Sequence, residues 1–349
     1  MNNKRNQALR VLVLLADYQV PREPFAEASE KTRRELQTEY DVIEGLKSLG
    51  HEVQTIGLTD NLDLLTKANT EFKPHIAFNL LEEFNGKVYY MPHVVSYLEC
   101  IRLPYTGCNP RGHTIADDKA LSKKILSYHS ISVPSFAVFP RGGKTFRPKD
   151  LTFPLIVKSM TDHGSVGISQ ASVVYDEDKL LERVKFVQES TDGDAIAEEY
   201  IEGREIYVGV IGNYRLQTLE PWELIIENLP EGAVHIASGH VKWNQAYQKR
   251  AGVRTEAAKD ISDEQRSTLD RVSKEIYRTL CMSGYARLDY RVKADGQCYL
   301  LEANPNPNIA KEEDFALAAK VIGLDYPDLL QKIVNLGMGS LQGWSSEDE

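Results

Sequence analysis

Two segments near the C-terminal end, 284–293 (GYARLDYRVK) and 297–303 (QCYLLEA), read as strands joined by Asp295-Gly296. Asp-Gly between alternating apolar runs is a strong hairpin signal, because a two-residue type I′ turn needs positive φ at both central positions. Such a turn pairs Ala294 with Gln297, so that Asp289 faces Glu302 and Arg287 faces Asn304. Side chains alternate along a strand, and these four therefore share one face. Leu288, Tyr290 and Val292 lie against Ala303, Leu301 and Tyr299 on the other, a core face. Directly opposed carboxylates destabilise a sheet, so Asp289 and Glu302 require a cation between them. With the Asn304 amide oxygen they form a hard, all-oxygen set suited to Mg²⁺. The competing reading is a solvated strand face on which the arginine neutralises one acid. Pro305-Asn306-Pro307-Asn308 ends the strand directly after Asn304, placing the set at a strand end that opens onto a loop, where binding residues are commonly carried.

At 349 residues the chain has room for two or three domains with their own cores. No apolar run approaches the roughly 18 residues of a membrane span. Met1 to Arg10 is polar and leads straight into a strand, unlike a signal peptide. The four cysteines (Cys100, Cys108, Cys281, Cys298) show no CxxC spacing and are expected as buried free thiols of a reducing cytoplasm. A net charge of −10 argues against a nucleic-acid footprint.

Strand and helix alternate at the start. RVLVLL (10–15) reads as a strand covered on both faces, a helix follows over 34–49, then strands EVQTIG (52–57) and HIAFNL (75–80) and a helix over 91–101. That order gives an open parallel α/β layer over 1–112, closed by the turn cluster around Pro104–Gly112. A helix over 117–129 opens a second, α+β segment. It contains strands at 153–158, 168–175 and 195–200 and a helix at 178–188, and it is bounded at 113–200. A third segment, 201–340, holds a strand at 205–211, long loops with short strands over 221–259, a helix at 263–281, the hairpin and a last helix over 312–336. Residues 341–349 are a fraying tail.

A Mg²⁺ site usually accompanies phosphates. No Walker A motif is present, since the first glycine before Gly143-Lys144-Thr145 would fall at Val138. The better cradle is Lys158 at a strand end, followed by Gly164-Ser165-Val166-Gly167, whose backbone N–H groups can approach oxygens as an anion nest. Acids flank the turn in Glu198-Glu199-Tyr200-Ile201-Glu202-Gly203-Arg204-Glu205, where they could accept from an adenine amino group and from ribose hydroxyls. A solvated acidic turn is the plainer account of the same residues.

Taken in order, Lys119, Lys158 with GSVG, EEYIEGRE and RLD…LLEAN resemble the ATP-grasp fold, specifically the D-alanine–D-alanine ligase branch. FNLLEE…YLECIRLPYTG resembles its N-terminal, Rossmann-like domain, and the likeness runs over about residues 10 to 335. The resemblance implies ATP and two Mg²⁺ as cofactors, with Mn²⁺ as a substitute. It implies that Lys119 and Lys158 contact phosphates and that Ser165, Val166 and Gly167 cover them. Glu198 and the backbone near Ile201 would hold adenine, and Glu205 the ribose. Asp289, Glu302 and Asn304 would bind the metal, and Arg287 would face the transferred phosphoryl group and the acyl centre. The implied reaction joins a small-molecule carboxylate to an amine through an acyl phosphate, in a cytoplasmic protein without nucleic-acid or membrane partners. Family analogy adds a homodimer.

The amino-acid half of the pattern departs from that branch. LEEFNGKVYYM (81–91) replaces a histidine–glycine stretch, Gly164 replaces the first of two serines, and Ala246 beside Tyr247 stands where a lysine is usual. PNPNIAKEED follows Asn304, so Glu313 falls near the place of a serine that binds the second substrate's carboxylate. Tyr247, Asn308 and Glu313 are the substrate-contact candidates. Three readings follow: a ligase for a pair other than two D-alanines, a true D-alanine–D-alanine ligase, and an inactive nucleotide-binding relative.

Overall fold

The computed structural model describes residues 8–143, 146–160 and 167–340. Arg10–Ala16 (β1) is the centre of a parallel sheet of order β2-β1-β3, with Glu52–Leu58 as β2 and Ile76–Asn79 as β3. Both faces of β1 are covered, as the unbroken apolar run requires. Val11, Val13 and Leu15 enter one core, and Leu12 and Leu14 another. The helix expected over 34–49 is two, Glu30–Glu35 (α1), capped by Ser29, and Gln37–Ser48 (α2), because Leu36 leaves helical dihedrals. Asp63–Glu71 (α3) and Met91–Cys100 (α4) complete this layer.

Pro110–Ala116 (α5) and Lys119–Tyr128 (α6) follow. The second sheet is antiparallel, of order β4-β7-β5-β6, made by Phe136–Phe139 (β4), Leu155–Ser159 (β5), Val173–Val174 (β6) and Ala195–Glu199 (β7). Glu177–Thr191 (α7) covers it through Leu180, Val184 and Val187, which recur at helical spacing. The strand expected over 168–175 shrinks to β6, because residues 170–172 form a 3₁₀ turn whose capping box pairs Ser169 with Ser172.

The third sheet has the order β11-β10-β8-β12-β13, with Gln217–Thr218 (β9) beside Arg204–Ile211 (β8). Its other strands are Trp222–Ile226 (β10), Val253–Ala257 (β11), Tyr285–Val292 (β12) and Cys298–Asn304 (β13). The stretch expected as loops holds two short helices, Gly239–Trp243 (α8) and Gln245–Ala251 (α9), capped by Ser238 and Asn244. Asp263–Thr279 (α10) lays Leu269 and Ile276 on the back of the sheet.

The last helix is also two, Asp314–Val321 (α11) and Tyr326–Ser340 (α12), parted at Gly323, whose φ of +85° no helix accommodates. Through Leu329, Leu330, Ile333 and Val334, α12 joins the core of β1 and α2. The cysteines are free, as expected, but only Cys108 is buried; Cys281 and Cys298 are half-buried and Cys100 is exposed at the end of α4. Among the described residues, no helix is long and apolar enough to cross a membrane.

Candidate active site

The hairpin register holds at the polar face for a reason other than the expected one. The turn spans three residues, Ala294 to Gly296, not two. Lys293 N–H donates to the Gln297 carbonyl and Gly296 N–H to that of Lys293, both at 2.9 Å, with Gly296 at φ +86°. Pairing is thereby displaced by one residue, to Val292↔Cys298 and Tyr290↔Leu300. A bulge at Leu301 then restores Asp289↔Glu302 and Arg287↔Asn304. Between turn and bulge the β13 faces are exchanged, since a one-residue shift turns every side chain over. Leu300 is in the core, while Tyr299, expected there, lies against Lys293.

Each opposed carboxylate has its own protein cation. Arg287 grips Asp289 with a fork, Nε to Oδ1 at 2.8 Å and Nη2 to Oδ2 at 2.9 Å, and stands 4.5 Å over the Tyr207 ring. Lys119 reaches Glu302 at 3.1 Å. It is the first residue of α6, where a cation opposes the helix dipole, and the Asp118 cap and Glu302 offset that. The Asn304 amide oxygen is fixed by the Asn306 N–H at 2.9 Å. Burial pushes the Asp289 carboxyl above its ordinary value. Arg287 and Lys242 oppose this, and Glu302 adds to it. Two acids and an amide thus converge on one face, each acid already countered by one protein cation rather than by an ion shared between them. The oxygen donors fit a hard cation, although among the described residues no three His, Cys, Asp or Glu side chains gather as a metal cluster.

Glu198 is not on a solvated turn. Its carboxylate is sealed (0% exposed) between Lys158 at 2.8 Å and Lys123 at 3.3 Å. Burial alone would raise its pKa, but the two lysine charges outweigh that and hold the carboxyl below its usual range. Lys123, 2% exposed, also donates to the carbonyl of the bulged Leu301 at 2.5 Å, so it ties the second sheet to the hairpin. Burial lowers its own pKa, Glu198 opposes that, and Lys158 adds to it. The sequence reading missed Lys123. Its position, one helical turn after Lys119 on the same face of α6, was the available signal. Lys123→Met leaves a buried acceptor without its donor and is expected to cost about 1–3 kcal/mol of stability, read as a lower midpoint in urea unfolding. An unchanged midpoint contradicts the assignment.

Ile201, buried, lies in the turn from β7 to β8. Glu205, across from Arg291, accepts from the Tyr207 hydroxyl at 2.9 Å and from Arg291 at 2.7 Å. Gly167 stands at φ +70°. Ser165 and Val166, like Gly164 and the tail 341–349, lie outside the described residues.

A cleft of about 780 Å³ opens over Arg287, Glu302 and Asn304 and is also lined by Asn308, Glu313, Glu312, Glu82 and Lys242. Asn308 accepts from Thr38 Oγ1 at 2.9 Å, and Asp41 accepts from the Lys311 N–H at 2.8 Å. The proline-rich loop is therefore moored to α2. Tyr247 is not among the residues lining the cleft. It sits beside His240 with Arg250 over its ring. Lys242, on α8, does line the cleft.

Three successive sheets, a carboxylate–arginine–amide set on one hairpin and buried lysines at its rim define an ATP-grasp ligase. The family model described as D-ala D-ala ligase C-terminus matches residues 125–335, and the chain belongs to that family. The uncharacterised protein y4sG of Sinorhizobium fredii is 31% identical over 302 residues, 84% of this chain and 85% of that protein. A D-alanine–D-alanine ligase of Bacillus anthracis is 29% identical over 305 residues, 87% and 92% of the two chains. The crystal structure of a D-alanine–D-alanine ligase from B. anthracis complexed with ATP superposes with a TM-score of 0.75 at 25% identity, covering 97% of this chain and 100% of that one.

Proposed function

We propose that this ligase uses ATP to join a carboxylate to an amine other than D-alanine, one with no neighbouring carboxylate or with an additional positive charge. A carboxylate oxygen bonds to the γ-phosphorus as the bond to the β–γ bridging oxygen breaks and ADP leaves. The amine nitrogen then bonds to the acyl carbon, phosphate departs, and the amine gives up a proton to solvent. Such catalysis is mainly positioning and charge stabilisation. Lys158 and Lys119 meet the phosphates, and Glu205 accepts from the ribose. Glu198, turned inward between two lysines, serves to hold those cations, which leaves adenine to the backbone near Ile201. Mg²⁺ held by Asp289, Glu302 and Asn304 would neutralise phosphate charge. Arg287 donates to the charge that builds on the phosphoryl and tetrahedral centres.

The observation that carries the substrate reading is the acid-rich wall of the cleft. Glu82 contributes from the loop after β3, and Glu312 and Glu313 from the start of α11. Beneath Glu82, Glu39 on α2 is buried. Burial first, and then the charge of Glu82, push its carboxyl up to about 7 against a lowering by its own backbone N–H. A carboxylate beside Glu313 would meet repulsion of roughly 1–4 kcal/mol, whereas an ammonium group would be drawn in, a case of selection by mismatch.

ADP release measured against a panel of amines and amino acids should show turnover with cationic amines and negligible turnover with D-alanine alone. Glu313→Ser should gain D-alanine-dependent release. Robust synthesis of D-alanyl-D-alanine by the unmodified chain would overturn this acceptor and support the second reading, a true D-alanine–D-alanine ligase, which the likeness to the B. anthracis enzyme favours.

A further inference from the structure

We infer that Arg291 is a positioning residue for nucleotide choice: it aims the Glu205 carboxylate so that the chain selects ribonucleotides over their 2′-deoxy forms. The inference rests on the reading above, in which Glu205 accepts from the ribose of ATP. Arg291 follows Arg287 and Asp289 at alternate positions on β12, and across the strand pair it stands directly opposite Glu205 on β8. It is 3% exposed, so each of its donors must find a partner inside the protein.

Those partners surround the nucleotide turn. Nη2 donates to Glu205 Oε2 at 2.7 Å and also to the His235 carbonyl, and Nη1 donates to the Gly203 carbonyl at 2.7 Å. The guanidinium lies 5.8 Å over the Tyr200 ring, whose hydroxyl donates to the same His235 carbonyl at 3.1 Å. Gly203 is held close to β12, since a Cβ there would collide with the Val292 carbonyl. A single side chain thus fixes the β7–β8 turn, the His235 loop and the Glu205 carboxylate to the strand that also carries Asp289.

The effect on Glu205 is specific. Its Oε1 accepts from the Tyr207 hydroxyl at 2.9 Å and its Oε2 from Arg291. A carboxylate has about four lone-pair sites, so one donor on each oxygen leaves each with one more to offer. Held at both oxygens, the group cannot rotate, and its remaining lone pairs keep a fixed direction. Those fixed acceptors are what ribose hydroxyls would meet. A lysine at 291 would bring a point charge, able to hold some of these partners but not the fork.

The test is calorimetric binding of a non-hydrolysable ATP analogue and of its 2′-deoxy form, with no amine or carboxylate present. A hydrogen bond to a charged group is worth enough to make the wild type prefer the ribose form by about 10- to 100-fold. Arg291→Met should bring that ratio to within about 3-fold by weakening the ribose form more than the 2′-deoxy form, and Arg291→Lys should fall between. A wild-type ratio near one overturns the inference. So does an Arg291→Met protein that keeps the wild-type ratio, or one that loses both ligands equally, as a purely structural role would predict. Should the methionine variant not fold, the lysine variant decides, and a ratio equal to wild type would be fatal. Wild type that binds neither nucleotide sinks the ATP-dependent reading itself. Binding of both without preference removes the role of Arg291 and the 2′-hydroxyl contact of Glu205, and leaves the ATP-dependent reading standing.

Discussion

Glu302→Gln is expected to abolish ADP release while the protein remains folded. The side chain faces the cleft rather than a core, and glutamine preserves its shape. The substitution removes the charge that Lys119 pairs with at 3.1 Å and that stands opposite Asp289 in the ladder. The oxygen set loses half of its anionic charge, and with it the means to hold a hard divalent cation. Steady-state turnover in Mg²⁺ buffer, together with circular dichroism of the variant, reads both halves of the expectation. Turnover within a few-fold of wild type would remove Glu302 from the metal site.

Arg287→Ala should lower kcat by about 10²–10³, the usual loss when one preorganised donor to developing charge is removed. ATP affinity should change little, because the guanidinium lines the cleft where the reacting groups are proposed to meet. A second readout is expected alongside. Asp289 is buried and its carboxyl is already raised by that burial, with Arg287 the first influence opposing it. Without the fork, Asp289 becomes a buried charge lacking its main partner, so the melting temperature should fall as well. An Arg287→Ala protein that loses ATP binding in step with activity would assign the residue to nucleotide anchoring instead.

The hairpin site was legible in the sequence because its signals are local: a turn dipeptide, alternation and a proline stop. Even so, Asp289↔Glu302 was reached through a turn one residue too short, and the Leu301 bulge that compensates for it has no local signature. The parallel start of the chain was legible from unbroken apolar runs. The breaks at Leu36 and Gly323 were not, since a long amphipathic pattern continues across both. Buried charges were the hardest to foresee. Lys123, Arg291 and Glu198 look like solvent-seeking residues in one dimension. Lys123 finds its partners between two sheets, Arg291 on the neighbouring strand β8 and in the loops beside it, and Glu198 on β5 and α6. Glu313 was singled out only through the resemblance to the family's serine, and it does line the cleft together with Glu312 and Asp314.

The mooring of α12 on β1 and α2 has a consequence for how the chain folds. Val11, Val13 and Leu15 share a core with Leu329, Leu330, Ile333 and Val334, about 300 residues further along. One flank of the first sheet therefore stays uncovered until that contact forms, presenting apolar surface that other unfolded chains could meet. Closing so long a loop is slow, so that flank is covered late in folding.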